Sequence, residues 1–192
     1  KSILFLLILV IFALFYIGDA LVQHSKEMVL QGFFSNDDYN LFDADVIADD
    51  FSNYLNLSSK QRVFFDDSLY VELDSSAEYV VASQGKISAY IAAKELDFLI
   101  TTSDLAKHYS SKIPLMDLEA SLPNDLLKNI GNHLRYIEGV DHKEGAYAID
   151  LSDSRFIKDA NYKGETSYYF IIPSNAVISE ELIAFLKYAF KL

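Results

Sequence analysis

The chain of 192 residues contains no cysteine. That absence excludes a thiol nucleophile, a thiolate metal site, a disulfide framework and a lipid anchor on an N-terminal cysteine. Glycine is scarce as well: there are seven, and none forms a phosphate-cradling cluster or a Gly-x-Ser-x-Gly elbow. Positive charge is short, with 16 Lys and Arg against 28 Asp and Glu and a net charge of -12. Such a field repels phosphate backbones and anionic head groups, so no nucleic-acid partner is expected. Internal repeats and low-complexity linkers are missing too.

The imidazoles are His24, His108, His133 and His142. His133 and His142 lie near Glu138, Asp141 and Glu144, which would suit zinc if the turn folded them together. No HExxH or other ligand spacing is there, and the stretch reads as a solvated turn. The acidic stretch Asn36 to Asp45 fails as an EF-hand. Counted from Asp38, the sixth position is Asp43 where Gly is required, and the twelfth is Asp49 where a bidentate Glu is required. Neighbouring carboxylates such as Asp37 with Asp38, or Asp49 with Asp50, need not share a cleft and define no acid-base pair. The reading is of a non-enzyme with no catalytic residue, metal or cofactor.

What is present begins with a membrane segment. Ser2 to Gly18 holds no charged residue, and Ile3 to Ile17 is almost wholly Ile, Leu, Phe and Val. Ala20 to Val22 continue it past Asp19, enough for the roughly 17 to 25 residues that cross a hydrocarbon core. Residues 1–23 are therefore expected as a transmembrane anchor or uncleaved signal; the rival is a secretory signal cut near the small residues Gly18 and Ala20. Either way the acidic bulk is exported. With Lys1 the only basic residue on the N-terminal flank, the expectation is a single-pass cell-membrane protein with its C-terminal domain extracellular. Residues 24–27 form a connector and 28–192 one domain, for which 13 Tyr and 14 Phe supply ample core material.

The domain is organised around Glu78 to Thr101. Val80, Ile87 and Ile91 recur on one helix face, then Leu96 to Ile100 form a short apolar run, the pattern of a strand buried on both faces. A helix feeding a buried strand is half of a βαβ unit, so the domain is expected to be α/β, one compact sheet with flanking helices. Met28 to Phe34 reads as the first strand. Asp45 is placed to cap a helix carrying Val46, Ile47, Phe51, Tyr54 and Leu55. Val63 to Phe65 and Leu69 to Leu73 are β-rich runs interrupted at Asp66 to Ser68, a second strand or an irregular hairpin. Thr102 or Ser103 caps a short helix, and Pro123 to Ile130 forms another, closed by Gly131. Leu134 to Glu138 and Ala146 to Leu151 flank a polar turn as strands. Asp150 to Ser154 is a cap-like cluster ahead of Phe156. Tyr168 to Ile172 is a strand, and Ser179 starts a last helix with Leu182, Phe185, Leu186 and Ala189 on its buried stripe.

The segments AAKELDFLI at Ala92 to Ile100, IPLMDL at Ile113 to Leu118 and LPNDLL at Leu122 to Leu127, AYAIDLS at Ala146 to Ser152, and YYFIIPSNAVISEELIAFLKYAF at the end are similar to one lobe of bacterial extracellular solute-binding proteins of ABC importers. The chain also resembles small single-pass anchored proteins of Gram-positive bacteria. The resemblance covers roughly Met28 to Leu192 and implies a truncated periplasmic-binding-protein-like lobe. The chain is too short for two complete lobes, and it has a transmembrane helix in place of a lipid-anchored Cys.

In an open α/β sheet, ligands gather outside the carboxyl ends of the strands. That rule selects the loops at Ser35 to Asp38, Thr101 to Asp104 and Asp150 to Asp153, with Thr101, Thr102, Ser103, Asp104, Asp150, Ser152 and Asp153 as candidate ligand-binding residues. Helix capping alone would also account for Thr102 or Ser103. Tyr147, Tyr168 and Tyr169 are candidates for stacking on a sugar or for the core. Two functions follow. One is a membrane-anchored extracellular solute-binding-like module for a small molecule. The other is a structural or protein-interaction subunit of an envelope complex, with a membrane protein as partner. Polar side chains converging on the strand ends would favour the first; side chains already paired there would favour the second.

Overall fold

Residues 26–192 are described by the computed structural model, together with residue 8 and residues 10–14, which are helical. The rest of the expected anchor at 1–23, and the connector through residue 25, lie outside the described residues. Among those described, no helix is long and apolar enough to cross a membrane.

Six strands form a single mixed sheet: β1 (Glu27–Ser35), β2 (Gln61–Leu69), β3 (Phe98–Thr102), β4 (Leu134–Glu138), β5 (Glu144–Asp150) and β6 (Tyr168–Ile171). Their order across it is β2-β1-β3-β6-β5-β4. The first three are parallel, with Gly32 opposite both Phe65 and Phe98. β6 runs antiparallel to β3 and β5, and β4 and β5 form an antiparallel hairpin. β2, β1, β3 and β5 therefore share one direction, and their C-termini mark the carboxyl edge of the sheet. The α/β reading holds, with an antiparallel insertion that the βαβ pattern did not foresee.

The helices are α1 (Ala44–Leu55), α2 (Glu78–Ala93), α3 (Ser103–Lys112), α4 (Leu118–Ser121), α5 (Asn124–Ile130), α6 (Arg155–Asp159) and α7 (Glu180–Phe190). Side-chain caps fix several starts by satisfying amides that the first turn leaves unpaired. Thr102 Oγ1 accepts from the Leu105 amide at 3.4 Å and Ser179 Oγ from the Leu182 amide at 3.1 Å. The cap of α1 is Asp43, which accepts from the Val46 amide at 3.0 Å. Asp45, expected in that role, lies in the first turn, where its charge faces the positive end of the helix dipole.

One strand differs from expectation in a more instructive way. β2 continues through Asp66, Asp67 and Ser68, with a shift of register against β1 between Asp66 and Leu69. Asp66 is buried, and burial alone would raise its carboxyl. Bonds from Lys86 on α2 and from Ser68 outweigh that and hold it below the usual carboxylate range. The neighbouring Asp67 Oδ2 accepts from the Ala44 amide at 2.9 Å. Two acidic residues thus stay in a strand because helices on the two sides of the sheet supply their partners.

Apolar residues fill both faces of the sheet. On one, Phe51 of α1 and Leu182, Phe185 and Leu186 of α7 cover Leu30, Phe34, Phe65 and Phe98, with the Phe98 ring stacked against both Phe170 and Phe185 at centroid distances of 4.7 and 4.6 Å. On the other, Ile87 of α2 with Leu105 and Ala106 of α3 covers Phe33, Leu99 and Ile171. Gly32 has no side chain for a packing reason: the Phe98 ring occupies the space where its Cβ would stand, 2.2 Å from Cζ.

Candidate functional site

The carboxyl edge gathers the ends of β1, β3 and β5 and the start of β6. Backbone bonds hold these segments together. The Ser103 amide donates to the Ser167 carbonyl at 2.8 Å, and the Leu151 amide to the Tyr168 carbonyl at 2.9 Å. Asn36, in a left-handed conformation at φ 60°, ties the end of β1 to the chain after β2: its Nδ2 donates to the Val71 carbonyl at 2.8 Å and its Oδ1 accepts from the Val71 amide at 3.0 Å.

Most residues singled out from the sequence are engaged here. Thr101 is fully buried and its Oγ1 accepts from Ser35 Oγ at 2.8 Å. Thr102 caps α3. Ser103 is half-buried in the first turn of that helix, and Asp104 is exposed beside Lys107 at 3.5 Å. Asp150 is held by Arg135 Nη2 at 2.7 Å and accepts from the Ser152 amide at 2.8 Å. Asp153 pairs with Lys158 at 2.7 Å and lies 3.7 Å from His133. The Lys158 contact prevails over slight burial and holds the Asp153 carboxyl low. Ser152 lines a cavity.

That cavity is a recess of about 190 Å³ between α6 and the start of β6. Ser152, Tyr162, Gly164, Thr166, Ser167 and Tyr168 line it, together with Ile157. No lining side chain carries a charge. Tyr162 Oη is buried without a hydrogen-bond partner, and its ring packs on Tyr39 at 4.9 Å. Gly164 makes room for it, since a Cβ there would fall 2.2 Å from Tyr162 Oη. Deeper in, Tyr168 donates from Oη to the Asn36 carbonyl at 3.4 Å. Burial, followed by the charges of Asp37 and Asp38 and the neighbouring Tyr162 and Tyr39, pushes the Tyr168 phenol far above its ordinary range, so it stays a neutral hydroxyl. Asp37 Oδ2 accepts from the Phe42 amide at 2.6 Å, whereas its Oδ1 is buried without a partner.

Tyr162, Gly164, Thr166 and Ser167 escaped the sequence reading. Their signal was a hydroxyl-rich polar loop, YKGETS, leading straight into the amino end of a strand. In an antiparallel strand that end lies on the same edge as the carboxyl ends of its neighbours. Of the tyrosines, Tyr168 is core, while Tyr147 and Tyr169 pack partly buried on the opposite face, Tyr147 lying over Gly139 and Gly145. Among the described residues no group of His, Asp and Glu is placed to hold a metal ion. His133 is buried and stacked on Phe190 at 5.1 Å, whereas His142 is exposed beside Glu138.

No family model and no curated protein matches the chain. Two solved structures are similar to part of it. The cyclic alpha-maltosyl-1,6-maltose binding protein from Arthrobacter globiformis aligns with 66% of this chain and 28% of its own, at 15% identity and a TM-score of 0.39. A "putative oligosaccharide periplasmic-binding protein" from Synechococcus sp. MITs9220 aligns with 64% of this chain and 27% of its own, at 20% identity and a TM-score of 0.40. This chain spans little more than a quarter of the length of either.

Proposed function

We propose that the chain is a membrane-anchored extracellular binding module, without catalytic activity, whose carboxyl-edge recess takes a small neutral polyhydroxylated ligand or the end of a longer one. The observation that carries this reading is the buried, unpartnered Tyr162 Oη in an uncharged recess lined by the hydroxyl residues Ser152, Thr166 and Ser167. A buried hydroxyl without a partner is costly, and a ligand hydroxyl would relieve it. The volume falls below the roughly 300 to 1,000 Å³ of pockets for drug-sized ligands, which suits one small ring.

The anchor sets the orientation. β1 starts at Glu27, so only a few residues separate the apolar segment from the sheet, a reach of about 10 Å. The amino end of β1 then faces the membrane and the recess faces away from it.

A second reading, the interaction subunit, is favoured by the pairing of Asp150 with Arg135 and of Asp153 with Lys158, which leaves the edge with few free polar groups. A thermal-shift screen of the full chain in detergent micelles, against monosaccharides and disaccharides, separates the two. A ligand present at a hundred times its Kd adds about 2.7 kcal/mol, or about 5 to 10 °C in midpoint. A shift of that order from a sugar, lost in Tyr162→Phe and in Gly164→Ala, supports the binding module. Absence of a shift from every sugar transfers the assignment to the interaction subunit.

A further inference from the structure

A larger cleft lies at the opposite edge. It encloses about 550 Å³ where the amino ends of β1 and β2 meet the C-terminus of α2. Its floor is Gln31 and Phe64 on the sheet, its wall Tyr90 of α2, and its charged groups are Arg62, Lys94, Glu95 and Asp97.

Two of these charges, Arg62 and Asp97, stand at different strands of the sheet, while Lys94 and Glu95 follow the end of α2. Arg62 stands on the edge strand β2, and Asp97 stands next to β3, on the far side of β1, two strand spacings across and two residues along, or ~12 Å between Cα atoms, a gap that the long Arg62 side chain can shorten. Neither joins an ion pair among the described residues. Arg62 Nε is buried without a partner, and a guanidinium left so is poised for an anion from outside the chain. Asp97 is fixed in place: its Oδ2 accepts from the Gln31 amide at 2.7 Å, and its own amide donates to the Gln31 carbonyl at 2.9 Å. Burial raises the Asp97 carboxyl, the Gln31 bond partly opposes this, and the Glu181 charge adds to it. Between the two charges lie the apolar surfaces of Phe64 and Tyr90, the latter ring packed on Phe33 at 5.0 Å.

We propose that this cleft is a second binding site, for a free α-amino acid with an apolar side chain. Its carboxylate pairs with Arg62, its ammonium with Asp97, and its side chain lies on Phe64 and Tyr90. Such a ligand brings both missing counter-charges at once and no net charge into an acidic protein. The same pairing of anion and ammonium occurs in an ethanolamine phospholipid head group. The aromatic floor favours the amino acid, since a head group presents no apolar side chain to it.

The site is tested by isothermal titration calorimetry on the full chain in micelles, with L-phenylalanine and L-leucine as probes. N-acetyl-L-phenylalanine, which lacks the ammonium, and L-phenylalaninamide, which lacks the carboxylate, serve as controls, with glycerophosphoethanolamine as the head-group probe. Binding of the free amino acids is expected, with both derivatives weakened about tenfold or more. Arg62→Gln and Asp97→Asn should each weaken binding to a similar extent, and Arg62→Lys should recover part of it, while the response to sugars stays as in the parent chain. No heat from either amino acid overturns the proposal. So does equal binding of the N-acetyl derivative, or a preference for glycerophosphoethanolamine. Retained binding in Arg62→Gln and Asp97→Asn variants that still unfold cooperatively overturns it as well.

Discussion

Replacing Gly32 by Ala tests the aromatic core of the sheet with a single methyl group. The new Cβ would lie 2.2 Å from Cζ and 2.6 Å from both Cε atoms of Phe98. Carbon atoms rest at ~3.5 to 4.0 Å, so the ring must retreat by more than ~1 Å. It has little room to move, because it is fully buried and packed against Phe170, Phe185 and Phe65. The backbone of β1 is no freer, being hydrogen-bonded on both sides to β2 and β3. Overpacking of this kind costs about 1 to 3 kcal/mol, and a blocked ring places Gly32→Ala at the upper end, about 3 kcal/mol. In a domain of this size that lowers the melting midpoint by about 6 to 12 °C. Urea unfolding followed by circular dichroism should show a lower midpoint with an unchanged slope. Trimming the obstacle supplies the control: Gly32→Ala with Phe98→Leu should cost less than the sum of the single changes by about 1 kcal/mol or more. A loss below about 0.5 kcal/mol for Gly32→Ala, or strict additivity in the double variant, would refute the packing account.

Three further outcomes follow from buried polar groups. Ser35→Ala should cost about 1 to 2 kcal/mol because it strands the buried Thr101 hydroxyl, whereas Ser35→Ala combined with Thr101→Val should lose less than Ser35→Ala alone; the reverse order in denaturant midpoints would discount the bond. Asp97→Asn should stabilise the protein at neutral pH, since burial lifts the folded carboxyl above 3.8; the gain is absent well below that pH and grows as pH rises through the lifted value, so a pH-independent midpoint difference argues against it. Asp66 behaves in the opposite sense: burial is outweighed by Lys86 and Ser68, so its contribution is full above 3.8 and lost as pH falls through the lowered value. Lys86→Met should flatten that acid limb of the stability curve, and an unaltered limb would show that Lys86 is not its source.

Where periodicity was strong and its partners local, the sequence was legible. The buried stripe of α7, the run of α2 into β3, and the aromatic strand β6 all stand where the spacing put them, because each needs only an apolar surface to face. β2 was obscured by Asp66 and Asp67, whose place in a strand depends on Lys86 and Ala44 far along the chain. The direction of β6 was equally hidden, since no feature of YYFI distinguishes an antiparallel neighbour from a parallel one. The sequence brought the loops of the carboxyl edge together but did not show which of their side chains are already bonded. Thr101 looked available until Ser35 was found opposite it, and Tyr162 became notable only because its hydroxyl is enclosed with nothing to bond.

The place of β6 between β3 and β5 has a bearing on how the domain is made. As the chain emerges from its amino end, the β2-β1-β3 half can assemble with α1 and α2, and the β4-β5 hairpin can close by itself, yet the two share no strand until Tyr168 to Ile171 appear. Until then the edge of β3 is an unpaired template, and the Phe98 side lacks both Phe170 and Phe185, the rings that stack on it. A chain halted at Ser167 is thus two half-sheets with a sticky seam, and the final stretch acts as a keystone.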